Sequence, residues 1–225
     1  MELLIDAALP DLRIALAERG EVVASAIERG GRAESVEPLL RRVLESAKAE
    51  LSDVRAVLVS RGPGSFTGLR VALAFAQGFA FGAEGCVLRA ATLFELLALH
   101  ARKMGASGRG AILVPARRGW FYAAAADLPD GGVRISDERM VPEEEAAGAR
   151  KEGEWILLPD YASAAAALPG ALTFGHDDLL LDAAAPCVSA FPEIDPAAGV
   201  SPDYIEPPQA KPGARRGLGA EGGAK

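Results

Sequence analysis

One glycine-rich segment, between an apolar strand and an apolar helix, constrains the fold of this chain more than any other feature. It runs from Ser60 to Arg70 and follows the apolar run Ala56-Val57-Leu58-Val59, which predicts a buried strand. The residues from Phe66 to Gly82 predict a helix. A glycine turn of this kind presents free backbone N–H groups at a helix N-terminus and is typical of phosphate sites. The alternative is structural, because glycines also allow a tight turn and close packing of a helix on a strand.

The order of the predicted elements occurs twice along the chain. The first half predicts strands at 3–5, 12–17 and 22–26, a helix at 35–50, a strand at 56–60, a helix at 66–82, a strand at 87–88 and a helix at 92–103. The second half predicts strands at 111–114, 120–126 and 133–135, a helix after Pro142, a strand at 155–158 and a helix at 161–168. This repetition predicts a duplicated α/β fold (RNase H-like) of two lobes with mixed sheets, the class shared by actin, the heat-shock ATPases and the sugar kinases.

A glycine-rich stretch at 104–110 separates the two halves. We therefore predict an N-terminal actin-like lobe at 1–104 and a smaller C-terminal lobe at 105–206. Residues 207–225 are rich in Gly, Pro and Ala and have too few apolar side chains to build a core, so they predict a disordered tail.

Composition limits the partners and the compartment of the chain. Of the 225 residues, 50% are hydrophobic, which predicts a globular protein, and the net charge of −7 argues against this chain as the main binder of a polyanion. Cys86 and Cys187 are far apart in sequence and are expected to be reduced thiols, with a single disulfide as the alternative. The N-terminus lacks the pattern of a signal peptide, and the most apolar stretch is too short to cross a bilayer. We expect a soluble cytoplasmic protein.

The residues expected of a nucleotide site are largely missing. Asp6 ends the first strand, but the next residues, 7–10, include neither glycine nor a hydroxyl group. The matching segment of the second half, 114–119, has no carboxylate, and its Pro115 lacks a backbone donor. Ser65 has no identifiable base, and His100 and His176 do not have metal-ligand spacing. We therefore predict no catalytic residues, no cofactor and no metal.

Three stretches of the chain carry a family resemblance. The first is Val59-Ser60-Arg61-Gly62-Pro63-Gly64-Ser65-Phe66-Thr67-Gly68-Leu69-Arg70, which is similar to the signature of the TsaB (YeaZ) family. The second, Ala116-Arg117-Arg118-Gly119-Trp120-Phe121-Tyr122, resembles its strand entry, and the third, from Pro202 to Lys211, resembles its C-terminal Pro-x-Tyr segment. The resemblance extends in order over about residues 1 to 211.

The resemblance implies a scaffold rather than an enzyme. Members of the family have the duplicated fold with a degenerate nucleotide site. They heterodimerise with a TsaD-type enzyme, which transfers a threonylcarbamoyl group to N6 of the adenosine next to the anticodon in ANN-decoding tRNAs. A TsaE-type ATPase joins this complex. The resemblance thus implies indirect contact with tRNA, a possible homodimer of the free chain, and no membrane.

The helix at 66–82 is apolar on nearly all sides, so it is either buried in its own fold or covered by a partner. With the resemblance, this pattern predicts a partner interface on the helices at 35–50 and 66–82. The predicted interface residues are Val36, Leu39, Leu40, Val43, Leu69, Ala72, Leu73, Ala76 and Phe79.

Two rival hypotheses remain open at this stage. An ATPase or peptidase-like hydrolase would rely on the turn at Ser65, and direct tRNA binding would rely on the basic tail with Lys211, Arg215, Arg216 and Lys225. The chain also departs from the family pattern at Asp6-Ala7-Ala8, at Glu34-Ser35 and at Pro115, which weakens any residual nucleotide binding.

Overall fold

The chain folds around two mixed β-sheets, with three α-helices in its first half. The computed structural model describes residues 1–30, 35–178 and 180–205. The first sheet contains β1 (Glu2–Asp6), β2 (Leu12–Glu18), β3 (Glu21–Glu28), β4 (Ala56–Ser60) and β5 (Val87–Ala91). The second contains β6 (Gly108–Pro115), β7 (Trp120–Leu128), β8 (Arg134–Pro142), β9 (Trp155–Pro159) and β10 (Leu172–Phe174). The helices are α1 (Val36–Ala47), α2 (Phe66–Gly82) and α3 (Leu93–Lys103).

The two sheets have the same topology. The first has the order β3-β2-β1-β4-β5, and the second has the order β8-β7-β6-β9-β10. In each, the first three strands pair antiparallel and the last two are added in parallel. The duplicated α/β fold with mixed sheets is therefore confirmed. A short eleventh strand, β11 (Glu193–Ile194), pairs antiparallel with β5 at the edge of the first sheet.

The helices divide the molecule into layers. α1 and α2 pack side by side on one face of the first sheet, where their apolar side chains meet those of β1, β2 and β4. α3 lies between the sheets, and its side chains pack against both. Its N-terminus is fixed by a capping box between Thr92 and Glu95. Burial on two sides explains why every residue of α3 from Leu93 to Ala101 except Glu95 and Leu99 is buried.

Several predicted elements differ in the structure. The helix expected after Pro142 is a 3₁₀ helix at Glu143–Ala149, and the helix at 161–168 is a 3₁₀ segment at Ser163–Ala167. These segments are short and have few large apolar side chains, so packing does not offset the unfavourable free energy of helix nucleation. Ser35 makes no side-chain cap on α1, because its hydroxyl donates to the Glu28 carboxylate at 2.5 Å.

The last described part of the chain returns to the first sheet. 3₁₀ segments at Leu180–Ala183 and Ala185–Ala190 cover the face of that sheet opposite α1 and α2. Residues assigned by prediction to the C-terminal lobe therefore complete the core of the first half, although the lobe boundaries themselves remain a prediction. The predicted tail at 207–225 and Glu34 lie outside the described residues.

Cys86 and Cys187 are free thiols, each partly buried. Within the described ranges, no helix combines the length and the apolar character needed to cross a bilayer.

A buried histidine makes stability depend on pH. His100 on α3 is 8% exposed, packs edge-on against Phe174, and has a buried Nδ1 atom with no hydrogen-bond partner among the described residues. Burial lowers its pKa in the folded state below the ordinary value near 6.5, because the charged ring is poorly solvated there. The unfolded chain therefore binds a proton more readily than the folded chain.

We expect the free energy of unfolding to be unaffected by His100 above pH 6.5 and to decrease as the pH falls below that value. Urea unfolding from pH 8 to pH 5 would measure this loss. In the variant His100→Gln, the free energy of unfolding should decrease less between pH 8 and pH 5. An equal decrease in the two proteins would show that His100 is not the source of the pH dependence.

Candidate functional site at the glycine loop and helix α2

The glycine loop between β4 and α2 uses its backbone donors within the chain. The Ser65 amide donates to the Ala8 carbonyl at 2.7 Å. The Ser65 hydroxyl caps α2 by accepting from the Gly68 amide at 3.2 Å. The amides that would bind a phosphate in a nucleotide loop are thus partly engaged by the turn between β1 and β2 and by the helix cap.

The glycines of the loop are required by close packing. A Cβ atom on Gly64 would lie well inside van der Waals distance of the Ala8 carbonyl oxygen, and one on Gly68 would meet the Ala7 carbonyl oxygen in the same way. Ala7 and Ala8 are both buried by this contact. The structure therefore supports the packing interpretation of the loop over the phosphate interpretation.

The C-terminal segment of the described chain closes over the same loop. The Asp203 amide donates to the Arg61 carbonyl at 2.7 Å, and the side chains of these two residues lie 3.7 Å apart. The Tyr204 ring stacks on Phe66 with ring centroids 5.6 Å apart, while the Arg70 guanidinium lies 3.8 Å from the Phe66 centroid. Two stretches that are distant in sequence, the glycine signature and the Pro-x-Tyr segment, therefore meet at the start of α2.

The third stretch of the resemblance lies on the second sheet. It forms the turn from β6 to β7, where Gly119 has a φ of +76°, in the left-handed region that favours glycine. Arg117 lies over the Trp120 ring, 4.9 Å from its centroid. This stretch therefore determines a turn of the second sheet.

Most of the predicted interface residues face the core of the chain itself. Phe79 is partly buried, and the other eight are at most 4% exposed: Val36, Leu39, Leu40, Val43, Leu69, Ala72, Leu73 and Ala76. These eight side chains pack against the sheets, so a partner cannot contact them without opening the core. The choice of these residues is corrected here, and the interface itself remains a prediction.

Helix α2 exposes a different stripe. Its outward residues recur every three or four positions, and Phe81 among them is 74% exposed. They are Thr67, Arg70, Ala74, Gly78 and Phe81. The sequence from Val71 to Ala83 contains no charged residue, whereas the outward face of α1 carries Glu37, Arg41, Arg42 and Glu45. That absence of charge was the sequence signal for the exposed stripe, but periodicity alone could not say which stripe faces the sheet.

The acidic residue expected at a nucleotide site is buried. Asp6 is 0% exposed, its Oδ1 atom accepts from the Ala8 amide at 3.0 Å, and its Oδ2 atom lies 3.7 Å from an Arg13 nitrogen. Burial raises the pKa of the Asp6 carboxyl, and the Arg13 guanidinium opposes that rise. In the part of the chain that the structure describes, no group of three His, Cys, Asp or Glu side chains has a geometry for metal binding.

Comparison with known proteins identifies relatives for this chain. The family model described as TsaD, tRNA N6-adenosine threonylcarbamoyltransferase, matches residues 29–138. The tRNA threonylcarbamoyladenosine biosynthesis protein TsaB of Escherichia coli (strain K12) is 33% identical over 125 residues, 54% of this chain and 54% of that protein. The chain thus matches about half the length of this curated relative.

Solved structures extend the likeness over most of the chain. YeaZ from Pseudomonas aeruginosa has a TM-score of 0.70 and 27% identity, with 90% of this chain and 98% of that chain covered. The ethanolamine utilization protein EutJ from Carboxydothermus hydrogenoformans, at 14% identity, has a TM-score of 0.51 with 84% and 89% covered, and shows the fold alone. The molecule is therefore a member of the actin-like class of duplicated α/β proteins. Within that class, the chain is similar to the TsaB and YeaZ proteins.

The packing interpretation of the loop is testable with two glycines of α2. Gly68→Ala places a methyl group against the Ala7 carbonyl, which is fixed by the sheet, and should lower the free energy of unfolding by more than about 2 kcal/mol. Gly78→Ala meets no atom within 4 Å and should be neutral or stabilise by up to about 1 kcal/mol, because alanine favours helix. Urea unfolding measures both, and equal effects would contradict the close contact.

Proposed function

We propose that this chain is a non-catalytic scaffold subunit that heterodimerises with a TsaD-type enzyme for N6-threonylcarbamoylation of the adenosine next to the anticodon in ANN-decoding tRNAs. The E. coli relative is named for threonylcarbamoyladenosine biosynthesis, and the matching family model is described as the transferase itself. The similarity to that relative supports a role in that biosynthesis.

The observation that carries the partner proposal is the exposed stripe of α2. A solvated helix face normally bears charged side chains, as the outward face of α1 does. The α2 stripe instead combines the small residues Ala74 and Gly78 with the protruding ring of Phe81. Small residues allow another helix to approach closely, and an aromatic ring supplies a large apolar contact. These features support a helix-on-helix interface with the partner.

An enzymatic role of this chain alone has less support. Ser65 has its hydroxyl engaged in the helix cap, and Asp6 is buried against Arg13. The ATPase and hydrolase alternatives would need a free phosphate loop or an activated nucleophile. The purified chain should therefore not hydrolyse ATP, and turnover that is lost in Asp6→Asn would favour the enzymatic alternative.

Further parts of the proposal follow from the resemblance to the TsaB family. We infer a ternary complex with a TsaE-type ATPase, contact with tRNA only through the assembled complex, a cytoplasmic location and a homodimer through the same stripe when the partner is absent. The proposed tRNA contact of the basic tail concerns residues outside the described part of the chain.

The partner proposal is tested by placing a charge in the α2 stripe. Ala74→Glu would bury an unpaired carboxylate in the interface, so the affinity for the cognate TsaD-type subunit should fall at least about tenfold. Isothermal titration calorimetry or co-elution measures binding, and thermal unfolding of the free chain should be unchanged because Ala74 is exposed.

The matched control is Ser136→Glu, which adds the same charge to an exposed position on the edge strand β8. This variant should bind the partner as the unaltered chain does. Full binding by Ala74→Glu would exclude the stripe as the interface, and loss of binding by both variants would point to a general effect of charge.

A further inference from the structure

A fully buried arginine lies where the two sheets meet. Arg13 on β2 is 0% exposed and stands opposite Asp6 on β1 in the antiparallel register. The alternation of apolar and other residues predicts that β2 is half-buried, with Arg13 on its open face. The structure buries both faces of β2 up to Ala17, because the segment after β10 covers the second face.

The Arg13 guanidinium is held by acceptors from two parts of the chain. In the first half, Nη2 donates to Oδ2 of Asp11 at 3.4 Å and Nη1 donates to the Asp11 carbonyl at 3.3 Å. Oδ2 of Asp6 lies 3.7 Å from Nη1, as an ion-pair partner without a hydrogen bond. Two carbonyl oxygens come from the turn after β10: Nε donates to the Asp178 carbonyl at 3.2 Å, and Nη2 donates to the His176 carbonyl at 3.3 Å. We call residues 175–178 the crossover turn, because the chain passes there from the second sheet back to the first.

Further contacts on the crossover turn converge on the same place. His176 Nδ1 lies 2.6 Å from Oδ2 of Asp11, and the Tyr161 ring stacks on His176 with centroids 4.3 Å apart. The turn is internally closed, because the Gly175 amide donates to an Asp178 carboxylate oxygen at 2.6 Å. These contacts hold the carbonyl oxygens of His176 and Asp178 in position independently of Arg13.

Burial of these charges requires that each has a partner. A carboxylate or a guanidinium removed from water loses several kcal/mol of solvation unless opposite charge and hydrogen bonds replace it. Here one guanidinium donates to the Asp11 carboxylate and to the carbonyl oxygens of Asp11, His176 and Asp178. The Asp6 carboxylate adds an opposite charge 3.7 Å away. A single divalent or monovalent cation could satisfy the same acceptors electrostatically, but the guanidinium does so from within the chain.

We propose that Arg13 is a built-in cation that fastens the first sheet to the crossover turn, and that its truncation leaves a binding site selective for free guanidinium-type cations. This proposal is independent of the partner proposed above, because no residue of the α2 stripe is involved. The cation beside the carboxylates is here part of β2, so the first sheet is fastened to the crossover turn without a ligand from solution.

The experiment compares Arg13→Ala with the unaltered full chain by hydrogen exchange and thermal unfolding. Amides of the crossover turn should exchange at least about tenfold faster in the variant, because the turn loses its anchor. Guanidinium chloride at millimolar concentration, far below denaturing levels, should raise the midpoint of thermal unfolding of the variant saturably. Potassium chloride or urea at the same concentration should not, and the unaltered chain should not respond to any of them.

Arg29→Ala is the matched control. It removes the ion pair of Arg29 with Asp177 on the same turn, but both side chains are largely exposed, at 66% and 88%. This variant should retain slow exchange and should not respond to guanidinium. Stabilisation of Arg29→Ala by guanidinium would show a nonspecific effect and overturn the proposal.

Arg13→Lys keeps the test decisive if Arg13→Ala does not fold. Its ammonium retains the charge but cannot donate to the Asp11 carboxylate and to all three carbonyl oxygens at once, so the crossover turn should exchange faster than in the unaltered chain. Unchanged exchange in Arg13→Lys would overturn the proposal. So would a folded Arg13→Ala protein that guanidinium stabilises no more than potassium chloride does.

Discussion

The contact between the glycine loop and the turn after β1 is the constraint on which the rest of the structure depends. The backbone of Gly64 and Gly68 lies directly against the carbonyl groups of Ala7 and Ala8, with no space for a side chain. This contact sets where α2 begins and how it lies on the first sheet. Because Leu93 donates its amide to the Gly62 carbonyl at 2.6 Å, the same loop also positions the start of α3.

The two halves share a strand topology but differ in the helices that connect their strands. The first sheet carries true helices on one face, whereas the connections of the second sheet are 3₁₀ segments rich in alanine. Only the first half therefore presents a long helical surface, and the exposed stripe of α2, which carries no charge after Arg70, lies on it. The second sheet completes the core through α3 and returns the chain to the first sheet at the Arg13 contacts.

Most strands and all three α-helices were predictable because their apolar patterns are long and regular. β10 and β11 have three and two residues, too few for a period to be visible, and they form only because a neighbouring strand is already in place. The interface residues were chosen wrongly on α2, since a helix with almost no charge gives little contrast between its two faces. Arg13 was interpreted as a residue on an open strand face, because nothing local reveals that a distant segment covers it.

The sequence by itself determined the duplicated α/β class, the resemblance to the TsaB proteins and the position of the glycine loop, because these depend on local periodicity and on contiguous motifs. Only the tertiary structure decided what the loop does: its amides and glycines serve the Ala7 and Ala8 carbonyls, which are far from it in sequence. Likewise, only the fold decided which stripe of α2 remains exposed and that Arg13 becomes a buried cation between the first sheet and the crossover turn. Each of these outcomes depends on which distant segments come together, and the local sequence pattern does not predict those contacts.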